Sequence, residues 1–456
     1  MQTKKTQTAR MTAADILVEL YRDRKPVKSI FDRQVARYEF GTKDRNLAMQ
    51  IVYGVLRNRE MIDRMITLLS RTPLKKLDPF VHQSIAAALF QVFFLDRIPD
   101  SAAVNEAVTG CKIKKLPKRL HGFVNGILRE AIRQGETLTA KGAKDSTGAL
   151  LTNHPRWLVD RWQKQFGRSQ TLQICQANNL EPGLTLRINS QKISRESFCR
   201  RLAEGDIEYE PGRYCDQAVR LKHFRGAVSA IPGYGEGCFQ VQDEAAQLAT
   251  MLLGPFVKGG CYLDGCAGLG GKTSHLLEFA IEHDLKIHCV EPEEFRLKKL
   301  AENIERLFPG QQLLKTVRGS LYLLDSSAPF RYDGILIDAP CSGTGVTGRH
   351  PDIRWNRRPE DILSYQQEQQ RLIDHGAALL KPGGILVYAT CSLEPEENIE
   401  VVTRFLRDNS DFTLTDCAPL LPARARNLVK NGYFHPLPSP DIDGFFCARI
   451  RRTKTA

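Results

Sequence analysis

The sequence predicts a multidomain protein: an all-α bundle over residues 1–140, a small α+β module over 150–240, and a C-terminal α/β domain over 241–456. Three patterns carry this reading. Apolar residues recur at helical spacing through the first third of the chain. Leu184, Leu186 and Ile188 alternate with Thr185, Arg187 and Asn189. From about residue 240 the chain repeats strand, glycine turn and helix. At 456 residues it is also too long for one ordinary core.

In the first part, Ile16, Leu17, Leu20 and Tyr21 form one apolar stripe, and Thr12 with Asp15 resembles a capping box. Similar stripes run through 45–56, 81–95, 102–111 and 120–132. They are core faces rather than cofactor pockets. Residues 136–150 lose the periodicity and read as a linker. The charge is uneven: residues 1–150 hold 27 Lys and Arg against 15 Asp and Glu, whereas 151–456 hold 38 against 37. A basic third on a near-neutral body points to a module that grips a polyanion such as nucleic acid; the alternative is a solvated basic face.

Met1-Gln-Thr-Lys-Lys5 leads into polar residues without an apolar leader, and the longest nearly apolar stretch, 85–95, is too short to span a bilayer. The twelve cysteines show neither a Cys-x-x-Cys pair nor the Cys/His spacing of a zinc site. A cytoplasmic, reduced protein with no metal and no membrane partner is expected, acting as a monomer.

Asn153-His-Pro-Arg-Trp157 opens a short helix, and the alternation at 184–189 marks a half-buried strand. Its polar face, Thr185, Arg187 and Asn189, is open to phosphate, base or solvent. Beyond it, strands at 260–264, 286–291, 334–338 and 384–389 alternate with helices starting near Thr273, Glu294, Pro359 and Pro395. That order predicts a doubly wound parallel sheet, in which ligands bind outside the carboxyl ends of the strands.

Tyr262-Leu-Asp-Gly-Cys-Ala-Gly-Leu-Gly-Gly-Lys-Thr-Ser274 reads as a strand end, a glycine turn and a helix start. Glycines let the backbone approach a ligand and leave amides free at the helix N-terminus. Glu291 ends the next strand, where an acid accepts hydrogen bonds from ribose hydroxyls. A phosphate-binding loop would need glycine where Cys266 stands, and the dinucleotide pattern Gly-x-Gly-x-x-Gly is absent. Gly265-x-x-Gly268-x-Gly270 resembles instead the loop of S-adenosylmethionine-dependent methyltransferases, which hold an adenosyl group without phosphate.

Two cysteines follow two of the strands: Cys341 in Asp338-Ala-Pro-Cys-Ser-Gly-Thr-Gly345 and Cys391 in Ala389-Thr-Cys-Ser392. Methylating an exocyclic amine needs no protein nucleophile, because the nitrogen has a usable lone pair. Carbon 5 of a pyrimidine has none, so a thiolate must first add to C6. That chemistry asks for a nucleophilic Cys, an acid hydrogen-bonded to the ring, and a group assisting elimination. Cys391, Asp338 and Cys341 fill these roles in turn, although spacing alone does not order the two thiols. An ordinary thiol has a pKa of about 8.5, so the nucleophile needs a helix N-terminus or a cation. The turn into the helix at Pro395 and the charge of Lys272 are candidate sources.

Asp338–Gly345 and Thr390-Cys-Ser-Leu-Glu-Pro-Glu-Glu-Asn398 resemble motifs IV and VI of the RNA (cytosine-C5) methyltransferases. The resemblance implies that Cys391 attacks and Cys341 promotes release. Residues 266–272 are similar to the family's Cys-Ala-Ala-Pro-Gly-Gly-Lys, with Gly268 and Leu269 in place of Ala and Pro. It implies a class I, Rossmann-like domain holding S-adenosyl-L-methionine through Cys266, Ala267, Gly268, Leu269, Gly270, Gly271, Lys272, Glu291, Ser320, Asp338 and Pro340, with catalysis by Cys391, Cys341, Asp338 and Lys272. Glu291 stands where the family usually has Asp. Ser320 stands where its adenine-side acid falls, with Asp325 five residues on.

The helical residues 10–135 are similar to the NusB-like domain of the bacterial members that act on 16S ribosomal RNA. Asn153–Trp157, Gln242-Asp-Glu244, Arg349-His-Pro-Asp-Ile-Arg-Trp355 and Asp443-Gly-Phe-Phe446 also look like that group. 16S ribosomal RNA is thus the implied partner, and Arg349, Arg354, Arg357 and Arg358 give the loop after motif IV a basic edge suited to phosphate. Two rivals stay open. A non-catalytic RNA-binding assembly factor with a degenerate cofactor site is favoured by Ser320 alone. An exocyclic-amine methyltransferase is disfavoured by Cys341 and Cys391.

Overall fold

A computed structural model describes residues 7–38, 40–96, 98–325 and 332–453; the polar chain start at 1–5 lies outside them. The chain forms two compact units, Met1–Leu180 with Thr347–Arg357, and Glu181–Val346 with Arg358–Ala456.

The first unit is helical. Helices Ala9–Asp23, Val27–Tyr38, Thr42–Arg57, Arg59–Leu69, Pro79–Phe94, Asp100–Ile113 and Lys118–Gln134 bury the stripes, including Ile16, Leu17, Leu20, Ile51, Ile85, Leu89 and Leu128. The first helix starts a turn earlier than the Thr12 capping box implies. Ala9 extends the buried face upstream, the Thr8 hydroxyl caps by accepting from the Met11 N–H at 3.3 Å, and Thr12 lies inside the helix. The stretch read as a linker holds another helix, Glu136–Gly142, anchored by buried Leu138. Asn153–Trp157 opens a long helix, Arg156–Asn179, interrupted at Gly167, where φ is 77°. That break hid its second half from the sequence.

Arg354 corrects an expectation. Its side chain is fully buried, donating to the carbonyls of Asn153, Asn178 and Thr347 and to Asn179 Oδ1, so it has no edge to offer phosphate. Burial pushes its guanidinium pKa down to about 9.

The second unit holds two sheets. The smaller runs β2 (Tyr209–Pro211), β3 (Ala218–Leu221), β1 (Leu184–Ile188), β4 (Phe239–Val241), all antiparallel, with helix Arg195–Glu204. The polar face of β1 touches neither solvent nor an open groove. Arg187 is 1% exposed and donates to Glu278 Oε1 at 2.9 Å, Ser274 Oγ at 2.8 Å and the Gly271 carbonyl at 2.9 Å. It therefore clamps the module onto helix Gly271–His283, which starts at the glycine turn.

The larger sheet joins β5 (Cys261–Asp264), β6 (Lys286–Glu291), β7 (Leu314–Arg318), β8 (Tyr332–Asp338) and β9 (Leu380–Thr390) in the parallel order β7-β6-β5-β8-β9. The sheet is mixed rather than purely parallel. β10 (Phe412–Thr415), β11 (Val429–Lys430), β12 (Tyr433–Phe434) and β13 (Phe446–Arg452) extend it antiparallel beyond β9. Successive residues of β8 and β9 feed opposite cores: Ile335, Ile337 and Leu386 on one face, Leu336 and Val387 on the other. The chain runs outward from β5 through β6 to β7, then restarts at β8 on the other side. This switch point opens a crevice at the carboxyl ends of β5 and β8.

Candidate active site

Asp264 ends β5 and the chain turns sharply over residues 265–270. The Gly265 N–H donates to the Leu336 carbonyl at 2.8 Å and the Ala267 N–H to that of Val290 at 3.0 Å, fixing the turn across the sheet edge. Gly270 has φ 84°, and a Cβ there would lie 3.0 Å from Leu300 Cγ, so glycine is required. Glu291, buried at the end of β6, accepts from the Gly268 N–H at 2.9 Å and from the Glu293 N–H at 2.9 Å. Its carboxylate thereby ties the glycine turn to the second strand.

The site includes an acid that sequence reasoning missed. Asp264 accepts from the Thr273 hydroxyl at 2.7 Å, and burial pushes its pKa up to about 6. Its only signal in the sequence was its place as the last strand residue before the glycines. Ser320 follows Gly319, whose N–H donates to the Glu291 carbonyl at 3.1 Å; the Ser320 hydroxyl accepts from the Tyr322 N–H at 3.3 Å and caps the turn Leu321–Leu323. Asp325 is exposed.

At the end of β8, Asp338 accepts from Lys272 Nζ at 2.6 Å. The ammonium also lies 5.1 Å from the Phe445 ring centroid. Burial works against its charge, but Asp338 first, then Asp264 and a negative Cys391 sulfur, hold its pKa above the ordinary value. Lys272 is therefore a fixed cation in the crevice.

The two thiols meet. The Ala339 N–H donates to the Ala389 carbonyl at 2.9 Å, prolonging the β8–β9 register so that both strands release their loops at one level. Cys341 Sγ and Cys391 Sγ stand 3.3 Å apart, unbonded and half-buried. The hydrogen bond to Cys391 is the largest cause raising the Cys341 pKa, with burial next and the charges of Cys391, Glu397 and Asp338 after it. All of these push the Cys341 thiol up.

Behind them sits a second residue without a sequence assignment. Glu397 is fully buried and accepts from the Ser342 N–H at 2.8 Å, the Ser342 and Ser392 hydroxyls, and Gln369 Nε2 at 3.0 Å. One carboxylate therefore holds the residue after each cysteine. The loops also touch directly: the Gly345 N–H donates to the Cys391 carbonyl at 2.9 Å, and a Cβ on Gly345 would lie 2.4 Å from the Gly444 carbonyl oxygen. Pro340 is exposed and its carbonyl accepts from Gln369 Nε2 at 2.9 Å.

The crevice fits a cationic, phosphate-free cofactor. Buried Asp264 and Glu291 flank the turn, the Cβ direction of Gly268 is open, and Leu269 is exposed. Lys272, the cation at the turn, is already paired with Asp338, a poor arrangement for holding a di- or triphosphate. Among the described residues no cluster of His, Cys, Asp or Glu could hold a metal, and no helix is long and apolar enough to cross a membrane.

An S-adenosylmethionine-dependent methyltransferase is the class that this fold and site define. Residues 250–451 match the family described as 16S rRNA methyltransferase RsmB/F, 7–133 match the NusB family, and 154–227 match the ferredoxin-like domain of RsmF/B-like methyltransferases. The chain is 34% identical, over 98% of its length and 99% of the relative's, to the probable ribosomal RNA small subunit methyltransferase B of Synechocystis. It is 38% identical to ribosomal RNA small subunit methyltransferase B of Yersinia pestis, over 90% of each chain. A solved methyltransferase homologue from Pyrococcus horikoshii, 28% identical, superposes with a TM-score of 0.55 over 66% of this chain and 96% of its own. The chain belongs to the RsmB/F family of 16S rRNA methyltransferases.

Proposed function

We propose that this chain transfers a methyl group from S-adenosylmethionine to C5 of a cytosine in 16S ribosomal RNA, through a covalent bond between Cys391 and C6 of the base. The observation that carries the reading is the pair of thiols in contact at adjacent strand ends, beside the Lys272–Asp338 ion pair. When bound, S-adenosylmethionine supplies an electrophilic methyl group. Residues 266–272, Glu291, Ser320, Asp338 and Pro340, joined by Asp264, are assigned to hold it.

The Cys391 thiolate adds to C6, forming the S–C bond and placing electron density on C5, which would take the methyl as the methyl–sulfonium bond breaks and S-adenosylhomocysteine leaves. Asp338, with Lys272 as its proton-bearing partner, steers the base by hydrogen bonds to its ring. A base then removes the C5 proton, the S–C bond breaks, and Cys391 leaves as thiolate. Once the Cys391 sulfur is bonded to carbon, the largest cause raising the Cys341 pKa disappears. The Cys341 thiolate, the form able to accept the C5 proton, thus becomes more accessible at that step. The target cytosine must be unpaired or turned out of its stack to reach the thiols. The basic helical domain at 1–140 and the module at 150–240 are assigned to grip and position the RNA, and 241–456 to the chemistry.

Ribosomal RNA carrying tritium at C5 of its cytosines tests this reading. Tritium released one for one with methyl transferred is expected; methylation with the label retained would move the methyl to another atom. The non-catalytic alternative keeps one observation in its favour, Ser320 in place of an acid. S-adenosylmethionine binding by calorimetry decides it, because no binding at millimolar cofactor would leave only that alternative.

A further inference from the structure

We infer that the helical unit carries a pocket for an unpaired nucleotide whose base bears an exocyclic amine. The inference rests on RNA being the substrate. Between the end of helix Ala9–Asp23, the start of helix Val27–Tyr38 and the segment Thr347–Arg357 lies a cavity of about 170 Å³, lined by Arg24, Lys28, His350, Asp352 and Arg357.

Asp352 is its informative member. It is 5% exposed; Oδ2 accepts from the Val27 N–H at 3.0 Å, while Oδ1 is buried without a partner. Capping the helix at Val27 accounts for Oδ2 alone. A buried carboxylate oxygen left without a donor destabilises the fold, so Oδ1 is a place for a donor that arrives with a ligand. The rim has the opposite sign: Arg24 and Lys28 are exposed and Arg357 is half-buried.

A cationic rim over a buried acceptor selects a molecule with a phosphate at one end and an N–H donor at the other. Unpaired RNA is read in this way, with the phosphate positioned by Lys and Arg and the splayed base hydrogen-bonded on its edge. An acidic side chain accepts from the amino group of cytosine, whereas uracil presents a carbonyl there. His350 and Arg357 offer flat groups for the base to stack on.

The test uses the full chain with cytidine and uridine 5′-monophosphates, binding being measured by titration calorimetry. The unmodified protein is expected to favour the cytidine nucleotide by about tenfold. In Asp352→Asn the amide oxygen still accepts from Val27 while the amide nitrogen donates into the cavity, so the preference should vanish or reverse toward uridine. A gained affinity for uridine cannot come from misfolding. Lys28→Ala, an exposed change, should weaken both nucleotides several-fold and leave their ratio alone. No binding of the cytidine nucleotide at millimolar concentration, or an unchanged ratio in Asp352→Asn, overturns the pocket. Methylation of ribosomal RNA by the same unmodified protein separates the two readings. Methylation with an unchanged ratio sinks the pocket alone, and absence of methylation sinks the proposed function.

Discussion

Cys341 and Cys391 place their sulfur atoms 3.3 Å apart, and the contact pushes the Cys341 thiol well above its ordinary pKa. The contact makes two chemically identical groups unequal. The Cys391 sulfur favours the charge of the Lys272 ammonium, whereas the negative charges of Glu397 and Asp338 push the Cys341 thiol up.

Glu397 is expected to be a positioning residue for this pair. In Glu397→Gln one acceptor oxygen becomes an NH₂ group facing the hydroxyls of Ser342 and Ser392, and the two loops lose their common anchor. Misplacement on the order of an ångström costs about 10- to 100-fold in rate, and turnover should fall by that much. The pH profile of Cys341 alkylation should move to lower pH as well, because the contact with Cys391 is loosened and the Glu397 charge, which also raises the Cys341 pKa, is gone. An unchanged profile alongside unchanged turnover would leave Glu397 a purely structural group.

Asp264 should show a trade between stability and binding. Burial pushes its folded pKa up to about 6, above the ordinary carboxylate range, so the fold favours the protonated acid. Its contribution to stability is fully present below the unfolded value and is lost as pH rises through the folded one. Asp264→Asn is therefore expected to raise stability at pH 7.5 by roughly 1–3 kcal/mol, with the gain fading toward pH 4. The same change should weaken S-adenosylmethionine binding. Urea denaturation at the two pH values checks the first part, and a gain equal at both would contradict it.

Arg354 is expected to act on the helical unit alone. Arg354→Met strands the carbonyls of Asn153, Asn178 and Thr347 without donors. Breaking such a buried network costs about 3–5 kcal/mol. Urea denaturation followed by circular dichroism measures it, and a loss below about 1 kcal/mol would show that water replaces the guanidinium.

These residues also show what the sequence could and could not disclose. The strands ending at Asp264, Glu291 and Asp338 were legible because each run is closed by a glycine or proline turn, and the one ending at Thr390 because an apolar run follows Gly383-Gly384. Cys341 and Cys391 were legible because both follow such runs. The antiparallel strands beyond β9 were not: the two-residue β11 and β12 carry no periodicity at all. The polar side of β1 and, in the loop at 349–358, Arg354 misled for a shared reason. Arg187 and Arg354 look like surface cations in sequence, yet each is buried against carbonyls and side chains distant in the chain. Glu397 was quoted in its motif without a role, since its partners Ser342 and Gln369 come from other elements.

The assignment of attacker and releaser is tested most directly by trapping. Cys341→Ala and Cys391→Ala are each incubated with ribosomal RNA and S-adenosylmethionine, and protein–RNA adducts are counted on denaturing gels. Cys341→Ala should accumulate a covalent adduct because release is blocked, whereas Cys391→Ala should form neither adduct nor methylated product. Turnover retained in Cys391→Ala, or an adduct formed through Cys341, would contradict the mechanism.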